Sequence, residues 1–246
     1  MPLKASPDIQ KHLLDLQALD TKLQQLGHRA KNLPELAVLA QLNTEADHTR
    51  ATLRTENGAA EDARLELSRI EADVAVVEAR IKRDTDRLDS ATSVKDVAGL
   101  EQELTALRKR RDDLEEIELT VMETVEEREQ AASATRAVLD DLEARITAQE
   151  QERDVALAAI GSERGHAEAN RSTIASKLPD ELLALYERQR DRYGFGASLL
   201  QGGVSMASGV KLNANDLNAI RSAAPDDVLI CPDSQAILVR TPESGL

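Results

Sequence analysis

From Leu39 to Leu88 the chain sets a stripe in alternating steps of three and four, at positions 39, 42, 46, 49, 53, 56, 60, 63, 67, 70, 74, 77, 81, 84 and 88. Twelve of these fifteen are Leu, Ile, Val or Ala; Thr49, Glu56 and Asp84 are the exceptions. A period of 3.5 residues sustained this long specifies a coiled-coil helix, because only that spacing keeps one stripe against a partner turn after turn. At 1.5 Å per residue such a helix runs roughly 75–80 Å. Ser90-Ala91-Thr92-Ser93 interrupts the stripe, and a second seam follows on Val97, Leu100, Leu104, Leu107, Leu114, Val121, Val125, Ala132, Leu139, Leu142, Ile146, Ala156 and Ile160. It is leakier, with Arg111, Arg128, Gln149 and Arg153 on or beside it. Two seams of matching length joined by so short a link predict an antiparallel hairpin.

Ahead of the hairpin, Ile9, Leu13, Leu16, Leu19, Leu23, Leu26 and Ala30 repeat at helical spacing until Asn32-Leu33-Pro34 breaks the pattern. Pro34 suits the first residue of a new helix. The expectation is therefore a rod over 1–176, with helices at about 5–31, 34–90 and 94–175, the first packed against the hairpin base opposite residues 150–175. Alanines at 59, 60, 63, 131, 132 and 134 permit close helix approach. After Leu178-Pro179 the pattern changes. Asp180 is placed to cap a junction helix over 181–192, and five of the eleven glycines fall within 194–209. Val204–Leu212 reads as a hairpin and Asn213 with Asp216 as the start of a capped helix to Ala223. Val228–Ile230 and Ala236–Arg240 read as two strands. The fold class is mainly α: a long antiparallel coiled-coil hairpin with a small C-terminal α+β domain over 177–246.

Composition agrees. Aromatics amount to 1% of the chain, too few for an ordinary α/β or all-β core of this size. The net charge is −14, and residues 1–176 hold 24 basic against 36 acidic side chains. So acidic a rod repels phosphate backbones, which disfavours wholesale nucleic-acid binding. Cys231 is the single cysteine, so no intrachain disulfide forms. With no apolar leader and no run of about 18 apolar residues, the expected place is the cytoplasm, away from membranes.

Three segments carry a resemblance: Ser93–Leu119 (SVKDVAGLEQELTALRKRRDDLEEIEL), Leu178–Arg188 (LPDELLALYER) and Leu212–Arg240. With the overall layout they resemble a bacterial family in which a coiled-coil hairpin precedes a C4-type zinc ribbon. The resemblance implies two C-x-x-C knuckles flanking the small helix, the second running into a glycine. The matching positions here read Ser205-Met206-Ala207-Ser208 and Cys231-Pro232-Asp233-Ser234, with Gln235 in place of the glycine. Three of four expected thiolates are serine, and a serine hydroxyl is a poor zinc ligand at neutral pH. The expectation is a degenerate ribbon at Ser205, Ser208, Cys231 and Ser234 that holds no zinc and needs no cofactor. Structural zinc supplies ~10–16 kcal/mol in small fingers. Apolar packing among Leu199, Leu200, Val204, Met206, Val210, Leu212, Leu217, Ile220, Val228, Ile230, Ile237 and Val239 is the simplest replacement, with Cys231 as a small buried hydrophobe.

No catalytic residue is assigned. His12, His28, His48 and His166 lie on predicted helices at no metal-ligand spacing, and no histidine follows His166 to activate Ser205 or Ser208. Arg108-Lys109-Arg110-Arg111 is the strongest basic run; pairing with Asp112, Asp113, Glu115 and Glu116 at i,i+4 competes with use as a partner patch. Arg188, Arg190 and Arg192 sit beside Tyr186, Tyr193 and Phe195, the only aromatics. That combination serves either a base-stacking, phosphate-contacting surface or the junction between rod and head. The leading reading is a non-enzymatic adaptor or scaffold binding protein partners through rod and metal-free head. The alternative is a nucleic-acid-binding regulatory factor using the basic-aromatic junction, and a homodimer through the second seam is a third.

Overall fold

The computed structural model describes residues 3–245. Three long helices, α1 (Pro7–Lys31), α2 (Pro34–Asp89) and α3 (Val94–Ala175), are followed by α4 (Asp180–Tyr193). A small sheet domain then holds β1 (Ala197–Gln201), β2 (Val204–Ser205), β3 (Val210–Lys211), α5 (Ala214–Ser222), β4 (Leu229–Ile230), β5 (Ile237–Val239) and a closing 3-10 turn at Pro242–Ser244. The fold is mainly helical, a long helical hairpin with a small C-terminal sheet domain.

The chain divides into two units, one of residues 35–151 and the other built from the flanks up to Pro34 and from Glu152. The division does not fall at 176/177, where the composition changes. α1 and the end of α3 pack with α4 and the sheet in one core, so contacts stay dense across residue 177.

In the first unit α2 and α3 run antiparallel. Arg50 meets Glu143 at 2.8 Å, Arg64 meets Glu129 at 2.6 Å and Arg80 meets Glu103, so numbers rise on one helix as they fall on the other. All fifteen positions of the α2 stripe are buried or half-buried, including Thr49, Glu56 and Asp84. Leu42, Ala46, Leu53, Ala132, Leu139 and Leu142 form a buried apolar cluster along the seam. On α3, Arg111, Gln149 and Arg153 are half-buried along the seam, whereas Arg128 turns outward. Such side chains lay aliphatic stems on the seam and keep their heads wet.

The second unit starts with Ser6, whose hydroxyl accepts from the Ile9 N–H at 3.4 Å and caps α1, with Pro7 as first helical residue. Leu26, Leu33 and Ile160 join α1 to α3. At α4, Pro179 holds the cap position and Asp180 is the first helical residue, so its carboxylate acts on the helix dipole rather than as a side-chain cap. The sheet order is β3-β2-β1-β5-β4, with β1 and β5 parallel and the other pairs antiparallel. β5 is buried on both faces: Ile237 and Val239 pack with Leu13, Leu16, Leu182 and Tyr186, and Leu238 packs with Leu200, Leu212, Ile220 and Cys231. Met206, Val210 and Ile230, expected inside, are exposed: Met206 lies in the turn after β2, and Val210 and Ile230 lie on the two-residue edge strands β3 and β4. Central strand β1 has no counterpart in the sequence reading. Its ASLLQ lacks β-branched and aromatic residues and is buried almost without alternation.

Residues ahead of α1 join the sheet domain. The Ala5 N–H donates to the Asp226 carbonyl at 2.8 Å and the Val228 N–H to the Leu3 carbonyl at 3.0 Å. The Lys4 ammonium lies 3.1 Å from Asp226 and 3.4 Å from Asp227. No helix among the described residues is long and apolar enough to cross a membrane.

Candidate functional site

Two polar constructions stand out in the second unit. The first centres on Asp20, which follows Leu19 of the α1 stripe and lies about one turn from both Leu16 and Leu23. Its carboxylate accepts from Arg171 Nε on α3 at 2.6 Å, from the Tyr186 hydroxyl on α4 at 2.7 Å and from Arg190 Nη1 at 2.9 Å. Glu187 closes the ring, 2.5 Å from Arg171 and 3.0 Å from Arg190. Burial opposes ionisation of Asp20, but the hydrogen bonds from Arg171 and Tyr186 and the two guanidinium charges hold its carboxyl below the usual value. Burial and the bond to Asp20 push the Tyr186 phenol well above its ordinary range, so it stays a donor. Nearby, Gln17 Oε1 accepts from the Gly196 N–H at 2.8 Å. Gly196 lies against the Tyr186 ring so closely that a Cβ there would overlap ring carbons. One acid on α1 thus ties three helices and positions the entry to β1.

The second construction pairs two turns of like geometry. In Ser205–Gly209 the Gly209 N–H donates to the Ser205 carbonyl at 2.8 Å, and in Cys231–Gln235 the Gln235 N–H donates to the Cys231 carbonyl at 3.0 Å. The fifth residue of each has positive φ, +67° at Gly209 and +58° at Gln235. The fourth residue of each accepts a following N–H: Ser208 Oγ from Val210 at 3.3 Å, Ser234 Oγ from Ala236 at 3.4 Å. Ser205 and Cys231 are both fully buried. Ser198 of β1 joins them, its Oγ 3.0 Å from Ser205 Oγ and accepting from the Ala207 N–H at 2.9 Å. Burial raises the Cys231 thiol, but hydrogen bonds from the Ser234 hydroxyl and amide, the Ser205 hydroxyl and the Asp233 amide outweigh it and bring the thiol below its ordinary value. Either hydroxyl of the Ser198–Ser205 pair can be the donor.

A family model described as a CT398-like coiled coil hairpin domain matches residues 16–194. The chain belongs to this family. The matched residues run from within α1 to the end of α4, and the sheet domain lies beyond them. The uncharacterized protein Rv2229c of Mycobacterium tuberculosis is 36% identical over 239 residues, spanning 97% of this chain and 98% of its own. The uncharacterized protein ML1638 of Mycobacterium leprae is 26% identical, spanning 90% and 96%. A solved structure from Mycobacterium smegmatis superposes with a TM-score of 0.87 at 33% identity, over 97% of this chain and 100% of that one. CT398 from Chlamydia trachomatis shares the fold at 20% identity and a TM-score of 0.66, over 95% and 98%.

Within this CT398-like chain the structure brings together Ser205, Cys231 and Ser234 of the four knuckle positions. Ser208 keeps the equivalent place in its turn but bonds to Val210 instead. A structural zinc site takes four thiolate or imidazole-type ligands. These turns offer one thiol and three hydroxyls, a donor set that does not fit zinc. Among the described residues no three His, Cys, Asp or Glu side chains converge on a metal-sized space.

The junction residues separate. Tyr186 is 0% exposed and Arg190 is engaged by Asp20 and Glu187, so neither is available to stack on a base or hold a phosphate. Both cross-link the helix junction, one of the two uses their sequence left open. Arg188, Arg192, Tyr193 and Phe195 are exposed, with the Arg192 guanidinium 5.3 Å above the Tyr193 ring. In the basic run, among the described residues, only Arg111 makes an expected i,i+4 pair, with Glu115; it also meets the adjacent Asp112. Arg108, Lys109 and Arg110 are exposed and bear no ion pair among the described residues. Sequence reasoning missed Asp20, Arg171 and Ser198. Neither Asp20, next to Leu19 of the apolar stripe, nor Ser198 left a signal in the sequence.

Proposed function

We propose that this CT398-like protein is a non-enzymatic adaptor that binds protein partners on its helical hairpin and carries a metal-free head. The observation that carries this is a pair of large apolar side chains facing outward one turn apart on α3: Leu119 and Met122 are 62% and 48% exposed. Leu119 and Met122 line a shallow groove of about 370 Å³ completed by Leu67 of α2 and Val125. Grouped apolar exposure of this kind on a polar surface is a feature of protein-binding sites. The polar clusters at Asp20 and Cys231 support the same reading, since their hydrogen bonds join the protein's own elements.

A photo-crosslinking residue at position 119 tests the adaptor reading. Cross-links to protein that disappear when Met122→Lys is added support it; recovery of nucleic acid alone sinks it. The metal-free head is tested by metal analysis of the purified chain and melting with and without chelator. Zinc well below one per chain and an unchanged melt are expected, whereas stoichiometric zinc with a chelator-sensitive melt overturns it. Exposure of unpaired Arg108, Lys109 and Arg110 favours a second reading, nucleic-acid binding. That binding would weaken steeply with salt, and apolar partner binding would not.

A further inference from the structure

A groove of about 600 Å³ opens in the second unit between the first turn of α1, the last turn of α5 and the segment after β5. Pro7, Pro225 and Pro242 give it apolar walls, and Lys11, Arg221 and Arg240 give it positive charge; no Asp or Glu lines it. The Arg240 guanidinium donates to the carbonyls of Ile220, Ala223, Ala224, Pro225 and Asp227, which anchors the α5 end and leaves its charge uncancelled by any carboxylate contact. Arg221 is exposed and makes no ion pair among the described residues. Lys11 has only Asp8, at 3.0 Å in an exposed pair worth little. A cationic, proline-walled groove is out of keeping with a chain of net charge −14.

The same chain carries its complement. Residues 115–129 (EEIELTVMETVEERE) contain seven glutamates and one arginine, and present Ile117, Leu119 and Met122 to solvent. Glu115 and Glu129 are engaged by Arg111 and Arg64, which leaves Glu123 and Glu126 exposed on the same face as Leu119 and Met122. We propose that the proline-walled groove of one copy takes the 115–129 face of a second copy. An apolar side chain of that face lies over the prolines, and Glu123 and Glu126 face Lys11 and Arg221. This rests on the reading of the α3 surface as protein-binding and names its partner. The contact joins two different surfaces, so it is heterologous, and its charge pairs make it sensitive to ionic strength.

The test is sedimentation velocity of the full chain at low salt, up to about 0.2 mM. Wild type should form concentration-dependent assemblies that dissociate as salt is raised. Arg221→Glu, or Glu123→Arg with Glu126→Arg, should each weaken association about tenfold or more, and an equimolar mixture of the two reversed proteins should restore it. All three changes are at exposed positions, so a circular-dichroism melt should match wild type. A monomer at every concentration, association indifferent to either reversal, or a mixture that fails to associate overturns the proposal. Cross-links from position 119 to other proteins, with no self-association, would overturn it and leave the adaptor reading standing.

Discussion

The α2–α3 hairpin and the Asp20 junction hold helices together by opposite means. The hairpin repeats one interaction: apolar layers along a seam, bordered by isolated ion pairs whose members are about half exposed. The junction is a single node in which one carboxylate, 8% exposed, serves Arg171, Tyr186 and Arg190 from two other helices. A repeated seam loses one layer's worth of energy per substitution. A shared node, once broken, disturbs every partner at the same time.

The sharpest way to break the comparison is at the node. Asp20→Ala removes the shared acceptor of a buried phenol and of two partly buried guanidiniums, which keep only Glu187 and, at Arg190, Asp191, and should cost about 3–5 kcal/mol in denaturant unfolding. The acid dependence follows from the same group. Its carboxyl is lowered below 3.8 in the folded state, so its contribution is complete above that value and fades as pH falls through the folded-state value. Asp20→Asn should therefore flatten the acid limb of stability against pH; an unchanged limb would assign that limb to other carboxylates. Next comes Leu114→Ala in the seam, where a side chain 2% exposed is truncated. About 2–3 kcal/mol is expected, the low end for a buried leucine because a two-helix seam can close around the gap. A loss equal to that of Asp20→Ala would erase the distinction between the regions.

Asp84 sharpens the comparison from the other side. It is a carboxylate in the seam, 4% exposed, with Oδ2 unmatched by any hydrogen bond and Arg87 at 3.2 Å from its other oxygen. Asp84→Leu should be neutral or stabilising by about 1 kcal/mol, since an apolar side chain suits the layer better than a desolvated acid. Smallest is Arg64→Ala, which removes the exposed pair to Glu129 and should change unfolding by less than about 1 kcal/mol.

Periodicity made the helical part legible. The ends of α1, α2 and α3 match the sequence expectation within two residues, because seams and breakers act locally. Asn213 likewise capped α5 as expected, accepting from the Asp216 N–H at 2.9 Å. What was illegible depends on residues far apart in sequence. β1 is a strand because β5 lies beside it in parallel and α4 delivers it there, not because ASLLQ favours strands. Tyr186 with Arg190 reads equally as a stacking surface until Asp20 and Arg171 are seen to close on them. The likeness of the two turns at Ser205 and Cys231 came from a family pattern; the serine bridge through Ser198 has no sequence signature at all.

The pairing of residues 3–5 with residues 226–228 bears on how the chain is made. A ribosome adds about 5–20 residues each second, so the segment around Lys4 emerges roughly 10–45 s before Asp227 exists to receive it. The hairpin, whose partners lie close together in the chain near Ser90, can zip during synthesis. The unit containing the sheet must wait until translation is nearly over, with α1 holding its apolar stripe unmatched in the meantime.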